Sequence, residues 1–374
     1  MQLNNSFDQI KWQNQFFYDL GQDLVDPIFK EETEKKTEQL QEASSFSFEA
    51  FDADAFNVAM IQHNARVLQA VQKIFSQEVP ELAESQSICI AMTGSDGRQE
   101  KLCSLSSKIE LVVIVKSGED LKSPIIAKIQ KVLTEHASLF HPDLEFKNLQ
   151  EDSLICFNRN KDLSGVKDYR PFPTRALDAL YVMGSAKVML EYKTQFFGEL
   201  TQKESSKLLQ KFQDSALKPM VKLLRDAKGK TANNESAKVG ETHIDFEKGE
   251  MHYDGERIKA TKYPLLRVVQ YKLAHAVCKA VNKGELKQNM FSTMPVGILE
   301  RIDWLAKEKI LNLGTGEVQA LKKAYSASLV WFAQAQQRFR KDKIAVTSES
   351  AKSLQVVANS ILNVGTNAKV FDRK

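Results

Sequence analysis

The segment Met92–Glu100, MTGSDGRQE, holds the residues whose types and spacing can do chemistry. Gly94 and Ser95 end a short apolar run and lead into a turn. Glycine lets a backbone come close to a phosphate. Consecutive N–H groups in such a turn form a nest for an anion, and the Ser95 hydroxyl adds a donor. Arg98, four residues past Gly94, is placed to pair with a phosphate or to brace a carboxylate, with Glu100 as its candidate partner. Downstream, Glu110 alternates with Ile109 and Leu111 on a second apolar run, so its side chain faces away from theirs. Glu145, in DLEFKN, can come from a third strand onto the same face. Carboxylates beside a glycine-serine turn are what metal-assisted nucleotidyl transfer requires, because Mg²⁺ takes hard oxygen ligands and bridges them to a triphosphate. Glu110 and Glu145 are therefore the candidate carboxylates for such chemistry.

The elements that must position these residues can be read from hydrophobic period. Residues 1–80 read as helices: Phe16, Phe17, Leu20 and Leu24 lie at helical spacing, KEETEKKTEQLQEA is a charged solvated helix, and Val58, Ile61, Val67, Ala70, Val71 and Ile74 recur at three and four until Pro80. The period then changes. SICIAMTG and KIELVVIVKSG read as buried strands, the second carrying β-branched Val112, Val113 and Val115. Pro124 opens a helix over 125–137, and DLEFKN and DSLICFN read as further strands. After Pro173 helices dominate. TRALDALYVMG reads as one, with Gly184 as its C-cap; SAKVMLEYKTQFFGEL is the next, and Thr201 with Glu204 forms a capping-box pattern for a third. GKTANNESAKVG reads as a linker, HIDFEKGEMHYDGERI as a β-hairpin with His243 facing His252, and Pro264 as the opening of PLLRVVQYKLAHAVCKAVN. The fold class is α+β: a small mixed-sheet core at 81–160, between an N-terminal helical region at 1–80 and a mainly helical domain at 161–374 with a hairpin near 243–258.

GSDGRQE followed by IEL resembles the G-S-x-x-R-x-E … D-x-D pattern of the DNA polymerase β-like nucleotidyltransferase superfamily. It is most similar to the nucleotidyltransferase domain of signal-protein (PII) uridylyltransferases and related putative nucleotidyltransferases. LFHPDLEFKNL and FPTRALDALYVMGSAKVMLEYKTQFF are similar to segments following the metal motif there, so the resemblance covers about residues 85–280. It implies a nucleotidyltransferase-like core, Gly94, Ser95 and Arg98 as nucleotide-binding residues with Glu100 in support, Glu110 and Glu145 as catalytic carboxylates with Glu110 the metal ligand, and Mg²⁺ with a nucleoside triphosphate (NTP) as cofactors. It also marks a departure. The D-x-D falls on Lys108–Ile109–Glu110, so a lysine stands where the first aspartate is expected. A charged lysine repels Mg²⁺, but it can touch a phosphate directly and permit metal-free nucleotide binding.

Two functional readings follow. In one, the protein transfers a nucleoside monophosphate from an NTP to a protein or small-molecule hydroxyl. In the other, the core is catalytically inactive and serves as a nucleotide-binding or protein-interaction module, its helical regions meeting a protein partner. A third reading, a helical structural protein with an accidental GSDGRQE, is separated from both by nucleotide binding.

Several other signals are set aside. The net charge of +4 over 374 residues is too small to indicate nucleic acid, and none is expected as a partner. The lysines between Lys203 and Lys238 read as a solvated face, and Trp331, Phe332 and Phe339 with Arg338 and Arg340 as core or a partner helix. GKT at 229–231 lacks the upstream glycine of a P-loop, since Leu224 stands there. None of His63, His136, His141, His243, His252 and His275 precedes an aspartate, so a histidine-aspartate phosphohydrolase motif is missing. Cys89, Cys103, Cys156 and Cys278 form no C-x-x-C pair and read as reduced thiols. With no secretory leader pattern and no long apolar run, a cytoplasmic protein without a membrane span is expected.

Overall fold

The computed structural model describes residues 51–100, 108–137, 139–141, 144–152, 154, 174–218, 221–222, 237–239, 242–245, 250–253, 262–338 and 361. The helices expected around Phe16–Leu24 and in KEETEKKTEQLQEA lie outside them, as do most of the expected strand DSLICFN and the aromatic pair side chains at 331–332.

The described chain is a mixed α/β structure built on a four-stranded sheet in the order β3-β2-β1-β4. β1 (Ile88–Met92) runs antiparallel to both β2 (Leu111–Val115) and β4 (Leu180–Gly184), while β3 (Glu145–Asn148) is parallel to β2. Every residue of β1 and β2 is buried. A strand covered on both faces has no polar side to show, which is why both runs are continuously apolar. Cys89, Ala91, Val112 and Ile114 belong to one core layer. Ile88, Ile90, Met92, Leu111, Val113 and Val115 belong to the other, with Val67, Val71 and Phe75 of α1 (Ala53–Glu78) and Ile126, Ile129, Val132 and Leu133 of α2 (Pro124–Glu135). The start of α2 follows from local chemistry: Ser123 Oγ accepts from Ile125 N, and Pro124 sits in the first turn, where its missing N–H costs nothing.

α1 exists where the period predicts, and Val67 and Val71 of the expected stripe are buried, but its N-terminal half turns a different face inward. Phe56, Ala59, Met60, His63, Asn64, Val67, Val71 and Phe75 are buried, whereas Val58 is 56% and Ile61 42% exposed. The buried stripe is the one that presents the longer Phe56, Met60 and Phe75 side chains, and it accepts His63 and Asn64, Asn64 donating to Met60 O at 2.9 Å.

The segment read as one helix over TRALDALYVMG is a short helix α3 (Thr174–Leu177) followed by the edge strand β4. Tyr181 and Val182 suit a strand, and β4 pairs along β1 with a bulge between Ile90 and Ala91. Gly184 ends the strand rather than capping a helix. Its φ is +98°, and a Cβ there would lie 2.4 Å from Ile88 O. α4 (Ala186–Leu200) follows, its N-terminus capped by Ser185 Oγ accepting from Val188 N. α5 (Lys203–Phe212) begins after Gln202 with no side-chain cap bond. Thr201, expected to cap it, instead donates from Oγ1 to Gly198 O at the end of α4.

β5 (Ala237–Val239), β6 (Thr242–Asp245) and β7 (Glu250–Tyr253) form a separate antiparallel sheet, with His243 opposite His252. β5 lies in the stretch read as linker. α6 (Val268–Asn282), preceded by a wider turn over Lys262–Arg267, is largely buried. α7 (Gln288–Ser292), α8 (Ile298–Lys307) and α9 (Thr315–Arg338) complete the helical layer. One apolar cluster runs from Phe51 through Cys89 to Ile361 and so draws on all three expected segments. Ser326 Oγ also donates to Asn57 Oδ1 at 2.7 Å, joining α9 to α1. No helix of the described residues is long and apolar enough to cross a membrane.

Candidate functional site

The chain leaves β1 at Thr93, whose N–H donates to Glu110 O at 3.0 Å, and turns at Gly94 with φ +66°. Only glycine takes that conformation without strain. Gly94–Gly97 then makes a single helical turn, closed by Gly97 N to Thr93 O at 3.2 Å and Arg98 N to Gly94 O at 3.1 Å. Gly97 passes directly over the end of β4's lead-in, where a Cβ would fall 1.9 Å from Asp178 O and 2.7 Å from Met92 O. The two glycines thus serve different needs: Gly94 the direction of the chain, Gly97 the close passage of backbones. Among the described residues nothing engages the Gly94 and Ser95 amides or the Ser95 hydroxyl, and both residues are partly exposed.

Glu110 stands beside this turn. A Cβ built on Gly94 would be 3.1 Å from its Oε2. Glu110 immediately precedes β2, and Glu145 opens β3 opposite Val112, so both side chains lie on the face that carries Val112. The structure brings the two together through a residue the sequence reading did not single out. From α3, Arg175 Nη2 lies 3.4 Å from Glu110 Oε2, while its Nη1 contacts Glu145 Oε2. Lys147 Nζ is 3.1 Å from the other oxygen, Glu145 Oε1. Glu110 is the open member, with a side chain 46% exposed, and Arg175 is 25% exposed. Lys108 is exposed two residues before Glu110.

Arg98 turns inward. Its Nε donates to Glu100 Oε2 at 2.8 Å and its Nη1 to Asp178 Oδ2 at 2.7 Å. Asp178 Oδ1 in turn accepts from Arg301 Nη1 at 3.2 Å, and Tyr325 Oη donates to Glu100 Oε1 at 2.7 Å while accepting from Gln270 Nε2 at 2.8 Å. All of these residues are buried. Burial alone would lower the pKa of Arg98, but Glu100 and Asp178 outweigh it, and the guanidinium is held well above its ordinary value. Burial pushes the Glu100 carboxyl up against the opposing pull of Arg98. Two cations and two carboxylates balance, as a buried network must. The effect is to clamp the end of the Gly94–Glu100 turn to the helical layer. Arg98 therefore braces carboxylates, one of the two roles its spacing allowed, and its guanidinium is committed away from the open side of the turn.

On its open side the turn presents amides and a hydroxyl without partners among the described residues, with the Arg175–Glu110 pair beside it. The arrangement suits Mg²⁺ less well. Both carboxylates that would ligate the ion are already engaged by one guanidinium. Among the described residues no group of three His, Cys, Asp or Glu side chains is arranged to hold a metal. Cys89, on the same sheet face, is a buried thiol pushed up to about 12 by burial and offers no thiolate. Arg175, Asp178, Arg301 and Tyr325 escaped the sequence reading because each finds its partner through the fold rather than through local spacing. The one local hint was that Arg175 and Asp178 are the only charged residues of TRALDAL. Compared with protein-family models and with curated proteins, the chain matches none.

Proposed function

We propose that the chain is a nucleotidyltransferase-fold protein that binds a nucleoside triphosphate by its phosphates without transferring the nucleotidyl group. The observation that carries this reading is the juxtaposition of the Gly94–Ser95 turn with a carboxylate pair already neutralised by Arg175. The turn offers donors to a phosphate oxygen, and Ser95 adds a hydroxyl. Lys108, where a metal-binding aspartate would be expected from the resemblance, supplies a phosphate-binding charge instead. With Glu110 and Glu145 paired internally, the site does not need Mg²⁺ to accept the anion.

A specific observation favours transfer as the second reading: Glu110 and Glu145 do reach one face beside the turn, where a transferase would need them. Titration calorimetry with ATP, GTP, CTP and UTP, in EDTA and again with Mg²⁺, separates the readings when combined with incubation in α-labelled triphosphate. The proposal expects binding in EDTA, weakened about tenfold or more by Ser95→Ala with Lys108→Ala, since a charge-assisted hydrogen bond is worth about 1.5–3 kcal/mol. It expects no label on protein or small-molecule hydroxyls. Failure of every triphosphate to bind overturns it. Label transfer that requires Mg²⁺ and disappears in Glu110→Ala replaces it with the transferase.

A further inference from the structure

The chain brings two carboxylates to one point, Glu110 just ahead of β2 and Glu145 at the start of the parallel β3, and like charges so placed need a cation between them. Lys147 meets only Glu145. Arg175 meets both, one Nη for each carboxylate, using the planar fork that distinguishes arginine from lysine. Its position is not left to a flexible loop. Arg175 lies on the four-residue helix α3, and the residue directly after that helix, Asp178, is locked by Arg98 and Arg301 while Leu177 O accepts from Arg301 Nη2 at 3.0 Å. The buried network thus fixes the base of the side chain whose tip lies between the carboxylates.

We propose that Arg175 is a resident cation, a built-in replacement for a divalent ion between Glu110 and Glu145, and that removing it opens a divalent-cation site there. Arg175 is a positioning residue in this scheme. It holds Glu110 beside Gly94 and keeps that carboxylate's charge from repelling an anion on the turn; this last role alone rests on the nucleotide-binding reading. Two carboxylates with water completing the shell are enough for Mg²⁺ or Mn²⁺. The open, half-exposed Glu110 gives the ion a way in.

The test uses the full chain without nucleotide. Mn²⁺ binding is followed by electron paramagnetic resonance for the wild type, Arg175→Ala, and Arg175→Ala combined with Glu145→Gln. The expected result is that Arg175→Ala binds Mn²⁺ about tenfold or more tighter than the wild type, because the cation shared by both carboxylates has left and only Lys147, on the far oxygen of Glu145, stays. The added Glu145→Gln should remove the gain. A folded Arg175→Ala that binds Mn²⁺ no better than the wild type overturns the inference, as does a gain that survives Glu145→Gln. Should Arg175→Ala fail to fold in metal-free buffer, millimolar Mn²⁺ is expected to restore its circular dichroism and cooperative melt; a variant that stays unfolded with Mn²⁺ also overturns it. The fate of the nucleotide reading is read separately. A gain in Mn²⁺ affinity in a chain that binds no triphosphate sustains the resident cation and rejects the phosphate pocket.

Discussion

Replacing Asp178 by asparagine probes the clamp that fixes the Gly94–Glu100 turn. The substitution preserves shape but removes a carboxylate that accepts from Arg98 Nη1 at 2.7 Å and Arg301 Nη1 at 3.2 Å. The three side chains are 7%, 1% and 2% exposed for Arg98, Arg301 and Asp178, so water cannot take over. The remaining network would hold two guanidiniums against the single carboxylate of Glu100. Breaking a buried pair by removing one partner costs about 3–5 kcal/mol; asparagine keeps one oxygen as a neutral acceptor but turns an N–H₂ toward the second guanidinium, so the loss is expected in that range. The measurement is urea unfolding of wild type and variant, read as the shift in midpoint at constant slope. Arg98→Met provides the cross-check, because the double variant returns to one cation and one carboxylate. The double variant should therefore be more stable than the sum of the single losses predicts, by about 2 kcal/mol. A loss below about 1 kcal/mol for Asp178→Asn, or simple additivity with Arg98→Met, would refute the claim that charge balance holds the turn.

Four further outcomes are expected. Gly97→Ala should destabilise by at least about 1–3 kcal/mol through overpacking, since its Cβ meets the Asp178 and Met92 carbonyls. Gly198→Ala, inside α4 with nothing within 4 Å of the new methyl, should stabilise by up to about 1 kcal/mol, both read by thermal melting. His275 is buried, and burial followed by the nearby Lys279 charge lowers its pKa to about 4 from an ordinary value near 6.5. The unfolded chain therefore binds the extra proton first. Stability should be intact above about pH 6.5 and fall by about 3 kcal/mol on acidification toward pH 4, while His275→Leu flattens that window in pH-dependent denaturation. Cys89, buried and pushed up to about 12, should resist iodoacetamide in the native protein and react once urea unfolds it.

The parts of the fold that were legible in sequence are those where one physical rule acts alone. β1 and β2 announced themselves because strands covered on both faces must be apolar throughout, and α2 because proline marks its start. α1 was legible as a helix, and Val67 and Val71 were rightly expected inside, but not the orientation of its first turns: Val58 and Ile61 have the right chemistry for a core, and only packing shows that Phe56 and Met60 face it. β4 was hidden because LYVMG continues the apolar spacing of TRALDA, and what makes it a strand is the free edge of β1 beside it. The turn at Gly94, with Glu110 next to it, was readable from residue type and spacing. Arg175 was not, because its two partners come from strands that meet only in the folded sheet.

The bond between Tyr325 and Glu100 joins residues 225 positions apart in the chain. During synthesis the glycine turn and its strands emerge long before α9, so the acid at the base of the turn waits through most of translation for the hydroxyl that completes it. Any shorter product ending ahead of α9 carries the turn but leaves Glu100 with Arg98 and without the Tyr325 hydroxyl. Completion of the buried network around the Gly94–Glu100 turn is thereby coupled to completion of the C-terminal helices.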